Sequence, residues 1–178
     1  MNRRTALKQA LLLTGGVLAL PSCLIDRQRV SEAAAKLKLE AEDEELLAGV
    51  VGAIIPDTDI PGARELKVHD FVLVMAADCL EKTAQEDFAN GLKQVDILAR
   101  EHLGKGFAAL SQTEQETLLE EVAGSGPQEA RVFLEKTRQY TIRGYLQSQY
   151  IMTEVLPYEM VPGTFNGCIA INQVKITS

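Results

Sequence analysis

From Leu46 to Tyr145 the apolar residues recur every three or four positions and almost never every second one, which commits the chain to helices. Leu46, Leu47, Val50, Val51, Ile54 and Ile55 form the first stripe, behind the acidic run Glu42-Asp43-Glu44-Glu45 that suits a helix N-terminus. Pro56 stops that helix. A second helix is expected to bury Val68, Phe71, Val72, Met75 and Cys79. A third, from about Ala84 to Leu103, carries Phe88, Leu92, Val95 and Ala99 on one face and ends at Gly104, where a C-cap belongs. Ser111-Gln112-Thr113-Glu114 has the spacing of a capping box and opens a short helix with Leu118, Leu119 and Val122.

After a break at Gly124-Ser125-Gly126-Pro127, residues from about Gln128 to Gln147 present Ala130, Phe133, Leu134, Thr137, Tyr140, Thr141, Gly144 and Tyr145 as one stripe. A glycine inside a helix costs about 1 kcal/mol relative to alanine, so Gly144 marks a close approach between helices. Beyond it Pro157, Pro162, Gly163 and Gly167 break regular structure, and Ile169-Ala170-Ile171 leads a short apolar tail. The predicted fold is all-α: a single bundle of five to six helices spanning residues 43–178, with an irregular, extended C-terminal arm from about residue 157.

The N-terminus reads as an address. Arg3 and Arg4 with Leu7 and Lys8 make a twin-arginine head, and an apolar run from Ala10 to Leu20, softened by Gly15-Gly16, leads into Leu20-Pro21-Ser22-Cys23. Ala6 stands where such signals usually carry phenylalanine. Residues 1–23 are therefore expected to be a twin-arginine (Tat) lipoprotein signal, with Cys23 as the lipidated residue. The apolar stretch is well short of the ~20 residues that a bilayer core requires. Residues 24–42 are polar and read as a tether that turns helical toward its end. The expected location is the periplasm, on a membrane, after export in the folded state.

A formal charge of -7 argues against nucleic acid as a partner, because phosphate binding draws on clustered Lys and Arg. No C-x-x-C, C-x-x-C-H, G-x-G-x-x-G or G-x-x-x-x-G-K-[ST] occurs, so no haem, dinucleotide or nucleotide site is expected in this chain. Glu-x-x-His is absent, which removes the di-iron bundle signature, and His69 and His102 read as ordinary helix residues. Asp57-x-Asp59 offers two oxygens, but the remainder of a calcium loop is missing and a plain turn is preferred. No catalytic residue and no metal ligand is expected.

The most distinctive stretch is Tyr158 to Cys168. Pro162 and Gly163 fix an extended course, and Tyr158, Met160, Val161 and Phe165 are side chains of the kind that anchor protein interfaces. This arm either grips a partner or wraps its own bundle. Cys79 and Cys168 are the only cysteines after Cys23, in a compartment that permits disulfides. They pair with each other, or Cys168 pairs with a partner and Cys79 stays a buried thiol, or both remain free.

Several of these pieces resemble one family, that of gluconate 2-dehydrogenase subunit 3. They are Ile54-Ile55-Pro56-Asp57-Thr58-Asp59-Ile60-Pro61-Gly62-Ala63 followed by Val68-His69-Asp70-Phe71, then Thr141-Ile142-Arg143-Gly144-Tyr145, then Val161-Pro162-Gly163-Thr164-Phe165-Asn166-Gly167-Cys168. The similarity covers roughly Leu46 to Cys168. It implies a small, helical, non-catalytic accessory subunit of a periplasmic sugar or sugar-acid dehydrogenase. The implied partner is an FAD-dependent flavoprotein of the glucose-methanol-choline type, often with a cytochrome c, and the small subunit is expected to help it fold and to carry it through the Tat translocase. The alternative from another class is a stand-alone helical envelope lipoprotein that acts as a scaffold.

Overall fold

The computed structural model describes residues 23–156, with side chains from Arg27 onward. The export residues Arg3, Arg4, Leu7 and Lys8, the side chain of Cys23, and the arm residues Tyr158, Met160, Val161, Pro162, Gly163, Phe165 and Cys168 lie outside the described part. Among the described residues six α-helices follow in order: α1 Cys23–Lys36, α2 Ala41–Ile54, α3 Val68–Cys79, α4 Lys82–Leu103, α5 Gln112–Ser125 and α6 Gln128–Leu146. A 3-10 turn, Phe107–Ala109, precedes α5, and a π-helical turn, Ile151–Val155, follows α6. There is no strand among the described residues, as the spacing predicts.

The helix ends follow local chemistry. At the start of α2 the Glu40 N–H donates to Asp43 Oδ2 at 3.0 Å, and Glu42, Asp43 and Glu44 place negative charge against the first turn's free N–H groups. Gly104 ends α4 in the left-handed region at φ 70° with its N–H on Arg100 O at 3.0 Å. The capping box predicted for α5 is present: Ser111 N–H donates to Glu114 Oε2 at 2.8 Å, and Glu114 N–H returns to Ser111 Oγ at 3.4 Å. The Ser111 N–H, and after it the Ser111 hydroxyl donating to the same Oε2 at 2.7 Å, hold the Glu114 carboxyl below its ordinary value, because they favour the charged form. The break begins later than predicted, since α5 runs through Gly124 and Ser125 and stops at Gly126.

The centre of the bundle is α6, which packs against α2, α3, α4 and α5, most extensively α4. Ala130, Phe133, Leu134, Thr137, Thr141 and Gly144 of its predicted stripe are buried. Gly91 of α4 lets the two backbones approach: a Cβ there would stand 2.8 Å from Glu129 O and collide with the Phe133 side chain. Phe133 then meets Phe88 edge-on, with ring centroids 4.9 Å apart. Phe107 of the 3-10 turn is fully buried, with its ring beside Gly49 of α2. Its N–H donates to Asp96 Oδ1 at 2.8 Å and its carbonyl accepts from Gln115 Nε2 at 3.0 Å, which tie the 3-10 turn to α4 and α5.

Two expectations are corrected. Most of the segment read as a polar tether, residues 24–42, is helix α1 and the short turn behind it, and α1 lies along α3. Ala33, Ala34, Leu37 and Leu39 are buried, and fully burying each leucine is worth about 1.5–3 kcal/mol relative to exposing it. Lys36 Nζ reaches Asp78 Oδ1 at 2.7 Å, lowering that carboxyl's pKa, but both side chains are exposed and such pairs hold little. Apolar burial, not charge, docks α1.

The second correction concerns Cys79, which is exposed rather than buried. On α3 the buried face is centred on Val68, Val72, Leu73, Ala76 and Ala77. Phe71, Met75 and Cys79 form one i, i+4 row along its edge, half-buried at the first two positions and exposed at the last.

Candidate functional site

Pro56 turns the chain out of α2, and eleven residues lead back to α3 at Val68, the first seven of them in a loop closed on itself. Asp57 Oδ1 accepts the Gly62 N–H at 2.7 Å, Thr58 N–H donates to Ile60 O at 3.1 Å, and Ala63 N–H reaches back to Ile55 O at 2.9 Å. Gly62 is required there, since a Cβ would stand 2.6 Å from both Asp57 N and the Pro56 carbonyl carbon. The Asp57 carboxylate thus closes a turn, the preferred reading of Asp57-x-Asp59. Among the described residues no group of three or more His, Cys, Asp or Glu side chains is arranged to hold a metal.

This loop is tied to α6. Tyr145 Oη donates to Pro61 O at 2.9 Å across 84 positions of sequence. Burial, then the nearby Tyr150 and Asp57, raise the Tyr145 phenol above its ordinary value, so it stays a protonated donor at neutral pH. One residue earlier, Gly144 admits α3: a Cβ there would stand 2.6 Å from Phe71 Cδ1 and 2.9 Å from Val68 Cγ1. The close helix contact predicted at Gly144 is therefore the α3–α6 crossing. Three stretches far apart in sequence, Ile54 to Ala63, Val68 to Phe71 and Thr141 to Tyr145, meet in one knot.

The segments that meet in the knot, and the turn after α6, carry exposed large apolar side chains. Ile60 at the loop tip is 38% exposed, and Ile142 and Leu146, one turn apart on the outer side of α6, are 43% and 50% exposed. Leu156, where the described chain ends, is 44% exposed. Sequence reasoning did not single these out. The signal was present for two of them: Ile142 and Leu146 are large apolar residues that fall off the buried stripe of α6. Such side chains around a rigid loop suit a protein partner better than a small substrate.

The histidines stand apart from any cluster. His69 Nε2 is 3.5 Å from Asp70 Oδ1, while its Nδ1 is buried without a partner. His102, exposed at the end of α4, lies 3.4 Å from Glu121. The hydroxyls of Thr137 and Thr141 are also buried and unpartnered, side by side on the inner face of α6. No helix among the described residues is long and apolar enough to cross a membrane.

Comparison with known proteins agrees with the motifs. Neither a curated protein nor a solved structure matches the chain. The family gluconate 2-dehydrogenase subunit 3 matches residues 41–163, beginning at the first residue of α2 and running past the knot into the arm. With more than half of its length so matched, and with the family-like stretches of its described part folded into one knot, the chain belongs to the gluconate 2-dehydrogenase subunit 3 family.

Proposed function

We propose that this chain is the non-catalytic small subunit that binds an FAD-dependent dehydrogenase of the glucose-methanol-choline type, helps it fold and carries it through the Tat pathway. Family membership makes it an accessory subunit of a gluconate dehydrogenase complex. The observation that carries the finer reading is that the knot ends in exposed apolar side chains, Ile60, Ile142 and Leu146, held by Tyr145 and Gly144 on a rigid base. Preorganised apolar groups of this kind lower the cost of docking. The twin arginines Arg3 and Arg4 suit a carrier of folded cargo, since flavin is inserted before export. A lipid on Cys23 then holds the pair at the membrane, with a cytochrome c receiving electrons from the flavin.

Co-purification tests this directly. Expressed with its flavoprotein, the wild-type chain is expected to bring down a yellow partner, and Ile142→Asp with Leu146→Asp to lose it while helix content is unchanged. A colourless wild-type monomer would favour a stand-alone scaffold instead. Replacing Arg3 and Arg4 by Lys is expected to leave both proteins and the dehydrogenase activity in the cytoplasm. Normal periplasmic activity in that variant would sink the carrier role.

A further inference from the structure

Helix α1 precedes the family-matched residues, which begin at Ala41, and only part of it lies on the bundle. Val30 is half-buried, Ala33 and Ala34 are buried, and Leu37 and Leu39 continue the contact in the turn behind. Arg27 stands three positions before Val30 and seven before Ala34, so it continues the docked stripe Val30, Ala34 and Leu37. Yet Arg27 is exposed, as are Gln28 and Arg29. The bundle's surface therefore ends near Val30, and the N-terminal end of α1 projects beyond it.

The projecting end carries two guanidinium groups. Neither Arg27 nor Arg29 makes an ion pair among the described residues, and Arg29, nearer the bundle, acts on Asp78 only through space. At about 1.5 Å per residue they stand about 6 and 9 Å along the axis from Cys23, where α1 begins. A bilayer of about 40–45 Å with a hydrocarbon core of about 30 Å leaves roughly 5–8 Å of headgroups on each side, which is the same depth. Guanidinium groups pair well with phosphate oxygens. Arg27 and Arg29 are about 200° apart around the helix, so both reach phosphates only if α1 stands upright. Of the acidic residues of α1, Asp26 falls in the first turn, where negative charge suits the free N–H groups, and Glu32 is about 14 Å from Cys23, beyond the phosphates.

We propose that α1 is a rigid post between a membrane and the bundle: with the lipid of Cys23 in the bilayer, Arg27 and Arg29 bind headgroup phosphates and the docked half of α1 holds the bundle at one height. This rests on the lipidation of Cys23 proposed above. A flexible tether over residues 24–42 reaches up to roughly 65 Å, whereas the post sets Val30 about 10 Å from the anchor. The lipid linkage alone is a swivel, and the two arginines fix the tilt.

Cys79 supplies a reporter, because it is exposed and follows Asp78, which pairs with Lys36 at the far end of α1. The full chain with Cys168→Ser, matured in cells and reconstituted into vesicles containing phosphatidylglycerol, takes a donor fluorophore on Cys79, and acceptor-labelled headgroups report its height. The post predicts one narrow distance, about 20 Å for an upright α1. Inserting Gly-Ser-Gly-Ser-Gly-Ser between Arg29 and Val30, ahead of every docked residue, is expected to broaden it. Arg27→Glu combined with Arg29→Glu is expected to broaden it too, by freeing the tilt. A broad distribution in the parent chain that the insertion leaves unchanged overturns the post, and a narrow one that the charge reversal leaves unchanged overturns the headgroup contact. Vesicle flotation separates this proposal from the one beneath it: a parent chain that does not float overturns lipidation and the post with it, whereas one that floats with a broad distribution overturns the post alone.

Discussion

In the first half of α6, Phe133 lies over Gly91 of α4 and edge-on to Phe88. In the second half, Gly144 of α6 lies under Phe71 of α3, and Tyr145 donates to the Pro61 carbonyl. Both contacts put an aromatic ring against a helical glycine, but their surroundings differ. Around Gly91 the neighbours are apolar and its Cβ would meet backbone, so nothing there can shift. Around Gly144 the obstacles are side chains, the buried hydroxyl of Thr141 one turn earlier has no partner, and apolar residues face outward. The first half of α6 holds the bundle together. The second gives up some packing quality to position a loop and exposed apolar side chains, as sites built for recognition commonly do.

Removing the ring at the first contact should have the largest effect. Phe133→Ala is expected to cost about 4 kcal/mol, read as a lower midpoint in urea unfolding, because the fully buried ring leaves a cavity that the helices cannot close. The two glycines then separate the regions. Gly91→Ala should cost about 2 kcal/mol despite better helix propensity, whereas Gly144→Ala should cost about 1 kcal/mol, since half-buried Phe71 can turn away and only the buried Val68 methyl has to give. Equal losses at both positions would break the comparison.

The buried hydroxyls sharpen it from the other side. Thr137→Val is expected to stabilise the protein by about 1 kcal/mol, because an unpartnered buried hydroxyl is exchanged for a methyl of similar size. A loss of stability on thermal or urea unfolding would mean that the hydroxyl has a partner after all.

The smallest effect is at Tyr145. Tyr145→Phe should cost only about 0.5 kcal/mol, since one partly exposed hydrogen bond is lost, yet it should weaken capture of the flavoprotein by freeing the Ile60 tip. It also carries a pH signature. The phenol's folded pKa is raised above its unfolded value of about 10, so its contribution is complete below that pH and is lost as pH rises through the folded value. Tyr140, raised in the same direction by burial, contributes a second alkaline component. The variant should therefore show a shallower alkaline decline than the wild type, not an absent one.

Much of the secondary structure was legible because its causes are local. The stripe on α6, the capping box at Ser111 and Glu114, the stop at Pro56 and the C-cap at Gly104 all appear where the residues place them. Helix α1 was not legible: in polar sequence it buries the small Ala33 and Ala34, with Leu37 and Leu39 only in the turn behind it, and its apolar partner lies on α3. Cys79 was misplaced by a single edge row, since spacing gives the period of a face but not where the neighbouring helix centres it.

The sequence by itself determined that this chain is helical, where most of its helices start and stop, and which family its motifs resemble, because periodicity, capping and turn chemistry act over a few residues. Only the tertiary structure decided that Gly62, Gly144 and Tyr145 serve one knot, that Gly91 is the seam under Phe133, and that Ile60, Ile142 and Leu146 are left facing water. Those outcomes depend on which surfaces meet across gaps such as the 84 positions between Pro61 and Tyr145. Close packing selects that pairing from the whole chain at once, and no local pattern encodes it.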